Sequence, residues 1–311
     1  MLYGFLQWVG GVALHWFYRD VRVVHGDRIP RSGPLLVAVN HQNAVVDAIL
    51  AQWVVPRPLK ITAKATLAEG FLGAMLVKLT GIIPLRRTSD ESNPADDPTR
   101  NRRSFERIID ELRRDQAILV FPEGKSHNDP EVAPLKTGLA RAAMRARESG
   151  VTGIHIVSIG ITFESKAEPG TVVVAQVGQL IAMDEWPGDN AHSLTKLIAD
   201  NLSAVSFTGN VQNIPNQIQR KRSPLIRAAA RWGHITHKVP IMIARRLAVR
   251  QSSDEGEPAM YTMTYGVALT LLAYAIQVPI VWFIAGGMIA MLYLASLVIG
   301  AYYAAYADHD Y

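Results

Sequence analysis

The chain has 311 residues, a net charge of +5, 49% hydrophobic residues and only 19% charged ones. That length suits one sizeable domain plus an appendage, and the balance leans toward a membrane. There is no cysteine, which excludes disulfides, thiolate nucleophiles and cysteine-ligated metals.

The first stretch, Leu2 to Phe17, carries Tyr3, Phe5, Trp8, Trp16 and Phe17 around the pair Gly10-Gly11. It is too short to span a bilayer comfortably and has neither a basic n-region nor a small-residue cleavage site. Residues 1–19 therefore read as an interfacial or re-entrant aromatic helix, or as a helix packed on the domain that follows. From 20 to 210, strands and helices alternate. Strands are predicted over 21–25, 35–39, 59–63, 81–85, 117–121, 154–163 and 171–177, and helices over 44–54, 66–79, 102–114, 137–148 and 190–205. Alternation of this kind indicates an α/β domain whose mixed, largely parallel sheet is flanked by helices. Arg86 to Arg103 is polar and contains Asn93-Pro94 and Asp97-Pro98, so it reads as a long loop.

Residues 211–258 form a basic segment. Between Asp200 and Asp254 there is no acid, while Arg220, Lys221, Arg222, Arg227, Arg231, Lys238, Arg245, Arg246 and Arg250 all fall there. The rest of the chain is net acidic, so the alkaline pI of 9.4 is a local property of this stretch. From Tyr261 to Ala307 no residue is charged, more than twice the ~20 residues one span needs. Residues 259–307 are predicted to form two transmembrane helices, over 263–284 and 287–307, turning at Gly286-Gly287. A basic helical segment next to such a hairpin favours the cytoplasmic face and anionic headgroups. These features make the protein an integral membrane protein with its α/β domain on the cytoplasmic face, and they disfavour nucleic acid as a partner. The hairpin reads as an appendage whose removal leaves the α/β domain foldable.

The densest chemistry lies in Asn40-His41-Gln42-Asn43-Ala44-Val45-Val46-Asp47. It follows the apolar run Leu35–Val39 and enters another, Ala48–Ala51, so a histidine and an aspartate stand at a strand-to-helix turn. At about 100° per residue, positions six apart on one helix point about 240° apart. His41 and Asp47 therefore meet only if His41 lies in the turn and Asp47 in the first helical turn. In that arrangement the imidazole takes a proton from a hydroxyl and the carboxylate fixes its tautomer. The bland alternative is a loop histidine beside an aspartate that favours the helix dipole.

Three further blocks follow in order. Gly81-Ile82-Ile83-Pro84-Leu85-Arg86-Arg87 is a strand ending in two guanidinium forks, which suit phosphate. Phe121-Pro122-Glu123-Gly124-Lys125-Ser126-His127 opens a buried strand into a turn and is followed by Pro134-Leu135-Lys136-Thr137-Gly138 at a helix start. Ile156-Val157-Ser158-Ile159-Gly160-Ile161 is an apolar strand with small residues. The four blocks together resemble the glycerolipid acyltransferase family, the glycerol-3-phosphate and 1-acylglycerol-3-phosphate acyltransferases, over roughly residues 20–205. Two departures stand out. Five residues separate His41 from Asp47 where the common family block has four, a spacing similar to that of a subgroup including fungal glycerol-3-phosphate/dihydroxyacetone-phosphate enzymes. Ser126 stands where the family usually has arginine.

The resemblance implies a membrane-bound O-acyltransferase of phospholipid biosynthesis. It implies His41 as general base, Asp47 as its orienting group, Arg86 and Arg87 on the acceptor phosphate, and Glu123 and Gly124 shaping the acceptor site. Lys125 and Lys136 are the cations available to replace the missing arginine. No cofactor or metal is implied. The co-substrate is an acyl thioester on coenzyme A or acyl-carrier protein, and the acceptor is glycerol-3-phosphate, 1-acylglycerol-3-phosphate or dihydroxyacetone phosphate. The competing expectation is a lipid-binding membrane protein that keeps this fold without catalysis. No Gly-x-Ser-x-Gly elbow occurs, so a serine hydrolase of that kind lacks its nucleophile.

Overall fold

The structure is a computed structural model and describes residues 2–64, 82–85, 98–129, 131–206, 223–252 and 257–307. Helix α1 (Leu2–Phe17) leads into strand β1 (Asp20–Val24), then β2 (Leu35–Val39), α2 (Ala44–Val54), β3 (Leu59–Lys64) and β4 (Ile83–Leu85). Next come α3 (Pro98–Arg113), β5 (Ala117–Val120), α4 (Gly138–Glu148), β6 (His155–Phe163), β7 (Val172–Ala182) and α5 (Ala191–Val205). Three long helices close the chain, α6 (Pro224–Gln251), α7 (Glu257–Ala285) and α8 (Gly287–Ala307).

The strands form one sheet in the order β1-β7-β6-β2-β5-β3-β4. Only the β6–β7 pair is antiparallel, so β6, β2, β5, β3 and β4 point one way and β1 and β7 the other. Both faces are covered, which is why β2 and β5 are apolar throughout rather than alternating. Leu35, Val37 and Val39 face a core with Leu14 and Phe17 of α1 and Val46 and Leu50 of α2. Leu36 and Ala38 face the opposite core with Ile108 and Leu112 of α3, Leu139 and Ala143 of α4, and Leu194 and Ile198 of α5. The architecture is thus the expected α/β one, with a mixed, largely parallel sheet.

Several boundaries differ from the sequence reading, each for a physical reason. Helix α3 begins at Pro98, inside the stretch read as a loop, because proline without its N–H is well placed in a first helical turn. Strand β7 runs to Ala182, because it pairs with β6 back to His155, through a register shift between Val157 and Ile159. The helix expected over 66–79 lies outside the described residues.

Helix α1 packs on the domain. Gly10 lies so close to α2 that an added Cβ would stand 2.9 Å from Ile49 Cγ2, and Leu14 and Phe17 are buried. Helices α7 and α8 are long and apolar enough to cross a membrane. They are joined to the rest more closely than an appendage: Ala259 and Met263 of α7 belong to the same core as β2 and α2. The basic segment contributes a helix of 28 residues that lies along this pair. Its buried stripe is Ala230, Gly233, His237, Pro240, Ala244 and Ala248, small residues apart from the histidine and proline. Small residues let helix backbones meet, and a Cβ on Gly233 would lie 2.0 Å from Gly300 O of α8. The buried histidine is satisfied, with Nε2 2.5 Å from Tyr274 Oη of α7 and Nδ1 2.8 Å from Gly233 O.

Candidate active site

Five parallel strands bring their carboxyl ends to one edge of the sheet, where open α/β sheets place their sites. His41 follows β2, Glu123 follows β5, and Lys166 lies in the turn after β6. β4 ends at Leu85 on the same edge; Arg86 and Arg87, which follow it, lie outside the described residues.

His41 is held in the turn before α2. Its Nδ1 lies 3.0 Å from Asp47 Oδ2, and Asn43 N–H donates to the same oxygen at 2.7 Å. The chain reaches this geometry through Ala44, whose φ of 44° is left-handed. That residue reverses the backbone so that the first turn of α2 carries Asp47 back under the imidazole. The ring stacks on Phe121 with centroids 4.0 Å apart and planes 15° apart. A carboxylate on Nδ1 places the proton of a neutral imidazole there and leaves the Nε2 lone pair as the basic site.

Asp47 is fully buried. Burial raises its carboxyl above the ordinary aspartate value, and the bonds from His41 and the Asn43 backbone offset this only in part. Tyr18 is also fully buried, and burial together with the nearby Asp47 charge raises its phenol well above its usual value. The Tyr18 hydroxyl accepts from Asn43 Nδ2 at 2.9 Å and donates to Lys166 O at 3.3 Å. Asn40 holds β2 to β6 by two bonds, from Nδ2 to Ile161 O at 2.9 Å and from Ile161 N to Oδ1 at 2.7 Å.

Glu123 is a buried brace rather than a solvated turn residue. Its Oε1 accepts from the His41 backbone N–H at 2.6 Å. Its Oε2 accepts from Ala133 N–H at 2.8 Å and pairs with His127 Nε2. Gly124 has φ of +82°, a conformation that favours glycine, and the Lys136 side chain packs over it. Lys136 and Lys125 are exposed beside this turn, and neither has an ion pair among the described residues.

The geometry therefore brings together His41, Asp47, Glu123 and Gly124, with Lys136 against Gly124. Sequence reasoning missed Tyr18, Asn43, Phe121 and Lys166 as parts of this site. Lys166 Nζ donates to Gln42 O at 3.2 Å and to Asn128 Oδ1 at 2.6 Å, putting a cation beside the His41 turn. His127 buttresses Glu123 and donates its backbone N–H to His41 O at 3.1 Å. Only the Asn43 signal was local; the other partners come from distant segments.

Residues 20–162 match the family model described as Acyltransferase. Among relatives, glycerol-3-phosphate O-acyltransferase 2 of Saccharomyces cerevisiae is 26% identical over 115 residues, covering 34% of this chain and 16% of that protein. The 1-acyl-sn-glycerol-3-phosphate acyltransferases of Limnanthes alba and Limnanthes douglasii are each 26% identical over 203 residues, covering 64% of this chain and 67% of theirs. A solved structure, the 1-acyl-sn-glycerophosphate acyltransferase PlsC of Thermotoga maritima, covers 60% of this chain and 70% of that one, with a TM-score of 0.47 and 18% identity. The matched segment contains His41, Asp47, Glu123 and the strands β1 to β6 that carry them, whereas α6, α7 and α8 lie beyond it.

Proposed function

We propose that the protein is a membrane-bound O-acyltransferase. It moves a fatty acyl group from a thioester of coenzyme A or acyl-carrier protein to a hydroxyl of glycerol-3-phosphate or 1-acylglycerol-3-phosphate. The observation that carries this reading is the His41–Asp47 pair, 3.0 Å apart at the carboxyl edge of the sheet, inside the segment that matches the Acyltransferase family model.

His41 Nε2 removes the proton from the acceptor hydroxyl as its oxygen attacks the thioester carbonyl. Asp47 holds the ring and stabilises the imidazolium that forms. The tetrahedral oxyanion collapses, the C–S bond breaks, and the imidazolium returns its proton to the departing thiolate. No acyl-enzyme is formed. General-base help supplies ~10²–10⁴ in rate, so positioning of the two substrates supplies much of the rest. Arg86 and Arg87 after β4, together with Lys136, Lys125 and Lys166, form the cation set assigned to the acceptor phosphate. The two apolar helices anchor the domain in the bilayer, and Arg245, Arg246 and Arg250 in the C-terminal turns of α6 favour a cytoplasmic orientation.

The test is acyl transfer by detergent-purified full-length protein. Radiolabelled glycerol-3-phosphate, dihydroxyacetone phosphate and 1-acylglycerol-3-phosphate are offered in parallel, each with acyl-CoA and with acyl-carrier-protein thioester. One or both of the glycerol-3-phosphate acceptors are expected to yield ester. Dihydroxyacetone phosphate as the sole acceptor would replace the acceptor assignment. Lipid binding without product from any combination would replace catalysis with binding.

A further inference from the structure

A second concave site borders the catalytic one, on the far side of Tyr18. A cavity of about 770 Å³ opens where the end of α1 and the start of β1 meet α6 and α8. Arg19, Lys238, Arg245 and Arg246 line it, over a floor that includes Trp16 and Met242. Lys238, Met242 and Arg245 are spaced i, i+4 and i+7, so one face of α6 presents them together. Arg19 is fixed on the opposite wall, because its N–H donates to Thr171 O at 2.9 Å and Gly170 N–H donates to Phe17 O at 2.7 Å. The Trp16 ring is wedged 5.4 Å from the rings of both His234 and His237.

No acid lines this cavity, and among the described residues none of its four cations is in an ion pair. Tyr18 separates it from the catalytic site: the residue lines the cavity, yet its hydroxyl is bonded to Asn43 in the His41 turn. The cavity also sits at a defined depth. Ala304, at the domain end of α8, contributes to its wall, and Ala259 and Met263 bury the start of α7 in the domain core. That end of the apolar pair is where a bilayer meets its headgroups.

Four converging cations over an apolar floor, at headgroup depth, match a ligand with an anionic head and an apolar tail. Guanidinium groups bind phosphate through paired donors, while a free phosphate would leave the apolar floor unused. We propose that this cavity binds one membrane phospholipid with an anionic headgroup, at a site separate from the acyl acceptor site. This is a discrete site, beyond the general attraction of a basic helix to an acidic surface. The bound lipid ties α1, α6 and α8 together and seats the domain on the membrane.

The test uses the full-length protein in neutral detergent, titrated with phosphatidylglycerol bearing a fluorescent acyl tail and followed by anisotropy. Saturable binding is expected, displaced by unlabelled phosphatidylglycerol, at least tenfold less well by phosphatidylcholine, and not by millimolar sodium phosphate. Lys238→Gln/Arg245→Gln is expected to weaken binding roughly thirtyfold, with His41→Ala unchanged. Arg19→Gln/Arg246→Gln, on both walls, gives an independent variant should the first fail to fold. Equal displacement by phosphatidylcholine, displacement by phosphate alone, or unchanged affinity in a folded double variant would overturn the proposal.

Discussion

The His41–Asp47 pair is bought at the expense of stability. Asp47 is buried and its carboxyl is raised above the ordinary aspartate value, so the folded protein binds a proton more tightly there than the unfolded chain does. A raised carboxyl favours folding at low pH, and that contribution is lost as pH rises from the ordinary value through the raised one. At neutral pH the ionised Asp47 therefore opposes folding. Asp47→Asn keeps one oxygen for the Asn43 N–H and removes the charge. It is expected to melt no lower than wild type at pH 8, with its advantage shrinking toward pH 4, while acyl transfer falls by ~10²–10⁴. Melting curves across that range together with initial rates check both halves; a lower melting temperature at pH 8 would contradict the burial argument. Glu123 is held by hydrogen bonds, because its carboxylate accepts from His41, Ala133 and His127. Glu123→Gln replaces one acceptor oxygen by a donor and is expected to cost ~1–3 kcal/mol in urea unfolding, with reduced activity through a displaced His41. Spacing set the condition for His41 and Asp47 to meet, one in the turn and one in the first helical turn, and left the bland alternative open. The bracing by Glu123 was not legible, because its bond to the His41 backbone spans 82 residues and exists only in the tertiary fold. Tyr18 was illegible for the same reason, since its hydroxyl bonds residues 43 and 166.

At the level of elements, the turn between His41 and Asp47 passes through Ala44, whose φ of 44° is left-handed. A β-branched residue is strongly disfavoured there. Ala44→Val is expected to destabilise by ~1–2 kcal/mol and to lower activity, because the turn that aligns Asp47 relaxes. Circular dichroism melts and rates check this; a neutral outcome would mean that the turn is reached by another route. Most strands and helices were legible from their apolar periods, since β2 and β5 are buried on both faces and unbroken. The start of α3 at Pro98 and the extension of β7 to Ala182 were not. A proline reads as a loop signal unless its place in the first turn is known, and β7 is lengthened by its partner strand rather than by its own pattern.

On the scale of the whole molecule, the apolar hairpin was plain from its lack of charge, but its union with the domain was not. Ala259 and Met263 complete a core that also contains Leu14, Val46 and Leu50, and α6 lies against α7 and α8 through His237–Tyr274 and Gly233–Gly300. Deleting 252–311 uncovers both surfaces. The truncated protein is expected to aggregate rather than to persist as a soluble enzyme, which size-exclusion chromatography in detergent-free buffer reads directly. A monodisperse, folded product would restore the hairpin to a separable anchor.

The central claim is direct transfer to an acceptor hydroxyl with His41 as base. Thiol release from acyl-CoA by the purified protein, followed with and without 1-acylglycerol-3-phosphate or glycerol-3-phosphate, tests it most directly. The expected result is release that requires both an acceptor and His41, with His41→Ala at ~10²–10⁴ below wild type. A stoichiometric burst or steady release of thiol without acceptor, or undiminished release in His41→Ala, would contradict it.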